Sequence, residues 1–198
     1  MAIIVEHDKR KHEILEKALD VFIEEGYEDV TFQKIADRCG ITRTTLYIYF
    51  KNKRDIFLWS IKQLLSELET AIMKIINDKS LNAETCFRAM LMKIVDSIEE
   101  HKKLFNVLLI YLIQLQKSGI DSRERVVRRV IKLRHVMTDV LIRGMKSGEF
   151  KQLNVKEANA LFYSLIEAAI FRLAVFTQKN TDDSRTTFNL AVDGILNQ

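Results

Sequence analysis

The sequence of 198 residues has no proline, two cysteines, six glycines and a single tryptophan. Each scarcity excludes something. Without proline no ring breaks a helix, and the glycines (26, 40, 119, 144, 148, 194) stand between or just after stretches with helical spacing, so an all-α chain is expected. Cys39 and Cys86 are too few and too far apart for a disulfide framework and are read as reduced, small, buried side chains. His7, His12, His101 and His135 make no metal-ligand spacing with one another or with the cysteines. No glycine-rich phosphate loop or nucleophile motif is present, so no cofactor, no metal and no enzymatic activity are expected. The longest apolar stretch, Leu104 to Leu115, is interrupted by Asn106 and Gln114 and falls short of the ~20 residues of a membrane span. MAIIV is followed at once by EHDKRKHE, which lacks the order of a secretory leader, so a cytoplasmic protein is expected.

What is present is unevenly placed. The formal net charge is +4. Residues 6 to 29 are dominated by acid, from Glu6 and Asp8 to Glu28 and Asp29, whereas residues 31 to 54 hold Lys34, Arg38, Arg43, Lys51, Lys53 and Arg54 against Asp37 alone. A local positive face there is the electrostatic footprint suited to a phosphate backbone.

Apolar periodicity and end signals divide the chain into about nine helices and no strand. The first runs from Asp8 to Glu25 with Ile14, Leu15, Ala18, Leu19, Phe22 and Ile23 on one face and Gly26 at its end. Thr31 caps a short second helix that Gly40 ends, and Thr42 caps a third. Asn52 and Asp55 open a long fourth helix that the polar stretch 77 to 82 closes. The fifth runs from about Ala83 to Glu100, and Leu104 to Leu115 reads as a buried sixth. Asp121 and Ser122 start a seventh, to Ser147; Asn154 and Glu157 cap an eighth, from Val155 to Gln178; Thr181 to Asp183 open the last, ending near Leu196. The run Arg123, Arg125, Arg128, Arg129, Lys132 and Arg134 alternates with valines and isoleucine and is read as the solvated side of an amphipathic helix.

The second and third helices, joined by Cys39-Gly40-Ile41, make a helix-turn-helix. Stepping 100° per residue along the third helix puts Leu46 and Phe50 inward, Thr44 and Ile48 outward, Thr45 and Tyr47 beside them and Arg43 and Tyr49 on the shoulders. Arginine pairs bidentately with guanine, threonine and tyrosine hydroxyls reach bases or phosphates, and an aliphatic group suits a thymine methyl. This outer face is read as a DNA interface in preference to a merely solvated one, and Lys53, at the start of the fourth helix, as a phosphate contact.

The segment VTFQKIADRCGITRTTLYIYFKNKRDIF, Val30 to Phe57, resembles the N-terminal module of the TetR family of bacterial transcriptional regulators through Thr31, Ile35, Ala36, Gly40, Leu46, Tyr47, Phe50 and Lys53. Over residues 8 to 60 the likeness is specific; beyond them it is one of length and helix count. It implies a homodimer, usually a repressor, with a helix-turn-helix DNA-binding domain over residues 1–52 and an effector-binding and dimerisation domain over 53–198. It places Thr31, Gln33, Thr42, Arg43, Thr44, Thr45, Tyr47, Ile48, Tyr49 and Lys53 at the DNA. Phe32 departs from the threonine or serine often found at its position, and Ile48 from the polar or larger aromatic residues common there.

A dimer is also expected because one recognition helix reads only a few base pairs. Ala158, Leu161, Leu165, Ala169 and Leu173, with Phe188, Ala191, Val192 and Ile195, are read as half of an intersubunit four-helix bundle, a purely internal core being the alternative. Phe87, Phe105, Asn106, Tyr111, Gln114, Phe162, Glu167 and Phe171 are the expected lining of a mostly apolar effector pocket. Glu167 has a competing role, an ion pair with Arg172 or with an arginine of a second subunit. The functional expectation is a sequence-specific DNA-binding repressor released from a palindromic operator by a small, largely apolar effector; the alternatives are an architectural DNA-binding protein without effector and, last, a helical enzyme.

Overall fold

A computed structural model describes residues 2–117, 123–176 and 181–197. Nine α-helices and no strand occur among the described residues: α1 Ala2–Glu25, α2 Phe32–Cys39, α3 Arg43–Tyr49, α4 Lys53–Asn77, α5 Ala83–Glu100, α6 Lys102–Lys117, α7 Arg123–Ser147, α8 Val155–Val175 and α9 Asp182–Ile195. The expected starts of α7 at Asp121 and Ser122 and end of α8 at Gln178 lie outside the described residues, as do the side chains of Arg123 to Arg129. Helix α1 begins at Ala2, a turn and more before the expected Asp8. No helix of the described residues is long and apolar enough to cross a membrane.

The end signals work through specific hydrogen bonds. The Thr31 hydroxyl accepts from the Lys34 amide, Thr42 from Thr45, Asn52 from Asp55, Asn82 from Thr85 and Asn154 from Lys156 and Glu157. Each satisfies a donor that the first turn of a helix leaves without a partner, worth about 1 kcal/mol. Gly40, at φ 67°, closes α2 with its amide on the carbonyls of Ala36 and Asp37. This left-handed residue is what turns the chain sharply toward α3. Thr181 departs from the expected pattern: its hydroxyl makes no cap bond and donates instead to Glu99 Oε2 at 2.6 Å.

The chain divides into two compact units, residues 1–67 with 107–111, and residues 68–106 with 112–198. In the first, Ile14, Leu15, Ala18, Val21 and Phe22 of α1 are buried together with Ile35 and Ala36 of α2, Leu46 of α3 and Ile56 and Phe57 of α4. An aromatic cluster completes this core. Tyr27 lies 4.5 Å from Tyr111 and 5.1 Å from Phe57, and Phe22 meets Phe57 edge-on at 4.9 Å. Burial, joined by the neighbouring Tyr111, pushes the Tyr27 hydroxyl up to about 12.

In the second unit Phe87 packs edge-on against Phe162 at 4.8 Å and Phe150 at 6.0 Å. Gly144 lets Phe150 close in, for a Cβ there would stand 2.1 Å from Phe150 Cδ2. Polar clasps tie α9 to α5: Arg185 donates to Asp96 at 2.6 Å and to Glu99 at 3.2 Å, and Arg88 joins Glu84 to Asp193. Both cysteines are free and buried, and burial raises both thiols above their ordinary value. They act as small apolar side chains.

Candidate nucleic-acid interface

The α2–α3 pair is held by its inward residues. Ile35, Ala36, Leu46 and Phe50 are buried, which leaves the opposite side of α3 to solvent. Each large apolar side chain so buried is worth about 1.5–3 kcal/mol, enough to fix a seven-residue helix that would not form alone. Charged pairs brace α2 against α1: Lys34 Nζ donates to Glu25 at 2.5 Å and to the Asp29 carbonyl at 3.1 Å, and Arg38 pairs with Glu24.

Thr42, Arg43, Thr44, Tyr47 and Ile48 are exposed, and Thr45 and Tyr49 half-buried, as the helical step requires. Tyr47 is 50% and Ile48 69% exposed, a large solvent cost for residues with no core to serve. Several are already oriented. Arg43 Nη2 donates to the Tyr47 hydroxyl at 3.1 Å, the Thr42 and Thr45 hydroxyls share a bond of 2.8 Å, and the Tyr49 ring stacks on His7 at 4.6 Å. Thr31 and Gln33 are exposed at the start of α2, but the Thr31 hydroxyl is occupied by its cap bond and Gln33 Nε2 donates to Asp37 at 2.7 Å.

Two residues differ from their reading in the sequence. Lys53 Nζ donates to the carbonyls of Tyr27 at 3.0 Å, Glu28 at 2.8 Å and Val30 at 3.0 Å, which spends all three of its N–H groups on the turn between α1 and α2. Its ammonium is thus a clasp for that turn. Phe32, taken only as a lost hydroxyl, is buried and lies against Tyr47, the rings tilted with centroids 4.5 Å apart. An apolar residue at the first position of a helix whose neighbour is a solvent-facing tyrosine was the signal for this contact.

The side chains expected around an effector are dispersed. Phe87 and Phe162 close on each other as packed core, Asn106 Nδ2 donates to the Ala174 carbonyl at 2.7 Å, and Phe171 is exposed beside Phe176 at 5.3 Å. Phe105 and Gln114 are half-buried in the second unit, whereas Tyr111 is buried in the first, its hydroxyl without a hydrogen-bond partner. Glu167 is exposed beside Tyr163, whose hydroxyl is raised above its ordinary value by burial and by the Glu167 charge; no ion pair joins Glu167 to Arg172. Helical spacing marks an aromatic as inward without distinguishing a lined cavity from filled core. A shallow surface hollow of about 300 Å³ lies among Ile142, Met145, Lys146, Gln152, Leu153 and Val155.

The expected dimer residues also separate. Ala158, Ala169, Leu173, Phe188, Val192 and Ile195 are buried within the protomer, Leu165 and Ala191 are half-buried, and Leu161 is 49% exposed. Exposed apolar groups on the same two helices are Leu161, Ala168 and Phe171 of α8 and Leu190 of α9.

Comparison with known proteins now bears on this geometry. Residues 14–58, which contain the helix-turn-helix, match the model of the bacterial regulatory proteins of the tetR family. The fatty acid metabolism regulator protein of Bacillus subtilis is 25% identical over 193 residues, 94% of this chain and 95% of that protein. The N-terminal module belongs to the TetR family.

Solved structures extend the likeness of fold across the chain. A TetR transcription regulator from Haloarcula marismortui superposes with a TM-score of 0.84 at 20% identity, covering 96% of this chain and all of that one. FadR from Bacillus subtilis, solved in complex with stearoyl-CoA, gives 0.73 at 23% identity over 91% of this chain and 95% of that one. The TetR-type regulator therefore presents on α3 a face of exposed, partly preset hydrogen-bonding side chains, and its relatives are regulators of transcription.

Proposed function

We propose that the protein is a homodimeric, cytoplasmic repressor that binds a palindromic operator through the α3 face and is released by a largely apolar small molecule. The observation that carries the reading is that face: Arg43, Thr44, Tyr47 and Ile48 stand exposed on a helix whose other side is fully buried. Arg43 and Tyr47 contact base edges or phosphates in the major groove, and Thr42, Thr44, Thr45 and Tyr49 grip the flanking backbone. Residues 1–52 form the DNA-binding domain and residues 53–198 the effector-binding and dimerisation domain.

The exposed apolar groups of α8 and α9 meet the same groups of a second copy. Exposed apolar side chains on these helices, Leu161, Phe171 and Leu190 among them, suit an isologous two-fold interface. Two reading heads then engage half-sites about 34 Å or a multiple apart, which a single head cannot do with usable specificity. The effector carries a long fatty-acyl chain, as does the stearoyl-CoA held by FadR of Bacillus subtilis; the likeness to the Bacillus subtilis fatty acid metabolism regulator protein over nearly the whole chain supports this choice.

The test is a pair of titrations with stearoyl-CoA as probe, into free protein and into the protein bound to its operator. Linkage requires that the probe weaken DNA binding by the factor by which DNA weakens probe binding, typically about 5–150-fold. Equal affinity for the probe in both titrations contradicts release by this effector.

A further inference from the structure

We propose that Phe32 is a specificity-determining residue of this regulator that never touches DNA: it sets the side chain of Tyr47, and Tyr47 sets the guanidinium of Arg43. The inference rests on the reading of Arg43 as a base contact and adds to it the device that aims that contact.

The chain of contacts is short and links one buried position to two exposed ones. Phe32 sits at the first position of α2, 8% exposed, with its ring tilted 31° to that of Tyr47 at a centroid distance of 4.5 Å. Tyr47 lies on the outward side of α3, where a tyrosine with no neighbour samples several rotamers at little cost. Here one side of its ring is against Phe32. The other end is fixed by the bond that Arg43 Nη2 donates to its hydroxyl at 3.1 Å, with Arg43 Cζ 5.7 Å from the ring centre. Arg43 and Tyr47 are four residues apart, the separation at which two side chains of a helix meet.

The consequence for reading follows from the donor inventory. A guanidinium has five N–H groups, and the tyrosine hydroxyl takes one. The remaining fork still fits the O6 and N7 of guanine, but only in the plane and direction that the Tyr47 bond allows. A long arginine that must order itself on binding loses rotamer entropy at that step, whereas one already held has lost it beforehand. Phe32 offers no donor or acceptor to a base or a phosphate. Its influence passes through Tyr47 and falls on the base pair that Arg43 reads, without altering the count of phosphates contacted.

The experiment uses the full-length protein, the tightest duplex recovered from a random pool, and a panel of duplexes in which each symmetric base pair is replaced in turn. Four variants are compared by the ratio of affinities for replaced and original duplexes: Arg43→Ala, Tyr47→Phe, Phe32→Thr and Phe32→Leu. A phosphate bond gained by a threonine at position 32 would act on all duplexes equally and cancel in these ratios. Arg43→Ala flattens the preference at one symmetric position. Tyr47→Phe, which removes the hydroxyl that accepts from Arg43, and Phe32→Thr reduce the preference at that same position about 3- to 10-fold. Phe32→Leu keeps an apolar contact and retains most of the preference. A position-specific loss in Arg43→Ala beside unaltered ratios in Phe32→Thr and Tyr47→Phe overturns the inference alone. A uniform loss in Arg43→Ala removes the base-reading role as well.

Discussion

Two solvent-facing surfaces of this regulator differ in what they offer. On α3 and its N-cap the exposed side chains are two threonines, an arginine, a tyrosine and one isoleucine, and several already hold hydrogen bonds. On α8 and α9 the exposed side chains include the apolar Leu161, Ala168, Phe171 and Leu190, which carry no polar atom to orient. Both surfaces cost solvation, and both lie on helices whose other side is packed into a core. The first suits a partner rich in acceptors and negative charge, and the second suits another apolar surface. The contrast also separates two kinds of specificity, since hydrogen bonds discriminate by direction while apolar patches discriminate by shape and area.

The largest effect expected from breaking this contrast is on the apolar side. Phe171→Glu combined with Leu190→Glu places charges on the α8–α9 face, and we expect a monomer in sedimentation and a loss of operator affinity of at least about 100-fold, because the second half-site no longer contributes. A dimer of unchanged stability would move the interface elsewhere. On the α3 side, Arg43→Ala costs about 1–3 kcal/mol per half-site, read as a loss confined to one symmetric base pair in a binding panel.

Lys53 sharpens the comparison, because the sequence reading and the structure assign it different partners. A phosphate contact predicts that Lys53→Ala lowers the salt slope by about one unit per subunit. The three carbonyl bonds predict instead a lower thermal midpoint, equivalent to about 1.5–3 kcal/mol, with the slope retained. Differential scanning of the variant, set beside a salt titration, decides between them.

Smaller effects are expected inside the two units. The bond from Thr181, together with Arg185, holds the Glu99 carboxyl below the ordinary glutamate value. A carboxyl lowered in the folded state stabilises above its unfolded pKa, and that contribution is lost as pH falls through the lowered folded value. Glu99→Gln therefore lowers the thermal midpoint at neutral pH and makes less difference as the medium is acidified below the usual carboxylate range. Smallest of all, Tyr111→Phe removes a buried hydroxyl that has no partner. Stability should stay level or rise by up to about 1 kcal/mol, since nothing but a desolvated polar group is lost.

Much of the fold was legible because caps are local. Thr31, Thr42, Asn52 and Asn154 each accept the bonds that their position in the sequence suggested, and Gly40 has the left-handed conformation that a sharp turn requires. The outward face of α3 was legible for a related reason: seven residues with only Leu46 and, just beyond, Phe50 as large inward groups leave little doubt about phase. In contrast, α8 is apolar on nearly every side. Periodicity alone did not separate Leu173, which is buried, from Leu161, which is exposed, and it put Phe171 in a pocket rather than on the surface. Leu190 is a single apolar residue on the polar side of α9, which periodicity gives no reason to single out. Long-range contacts were beyond reach as well: the partners of Lys53 lie 23 to 26 residues back in the chain, and the ring that Phe32 meets lies across the turn.

The central claim is that a pair of α3 faces reads two related half-sites in duplex DNA, and affinity selection tests it most directly. Purified protein is incubated with a pool of random duplexes at fixed salt, and the bound fraction is recovered over several rounds and sequenced. The account predicts an enriched palindrome whose half-sites are centred about 34 Å or a multiple apart, bound by an even number of protomers, and not enriched by the Arg43→Ala protein at one symmetric position. Recovery of the pool without enrichment, or of a motif with no internal symmetry, would contradict it.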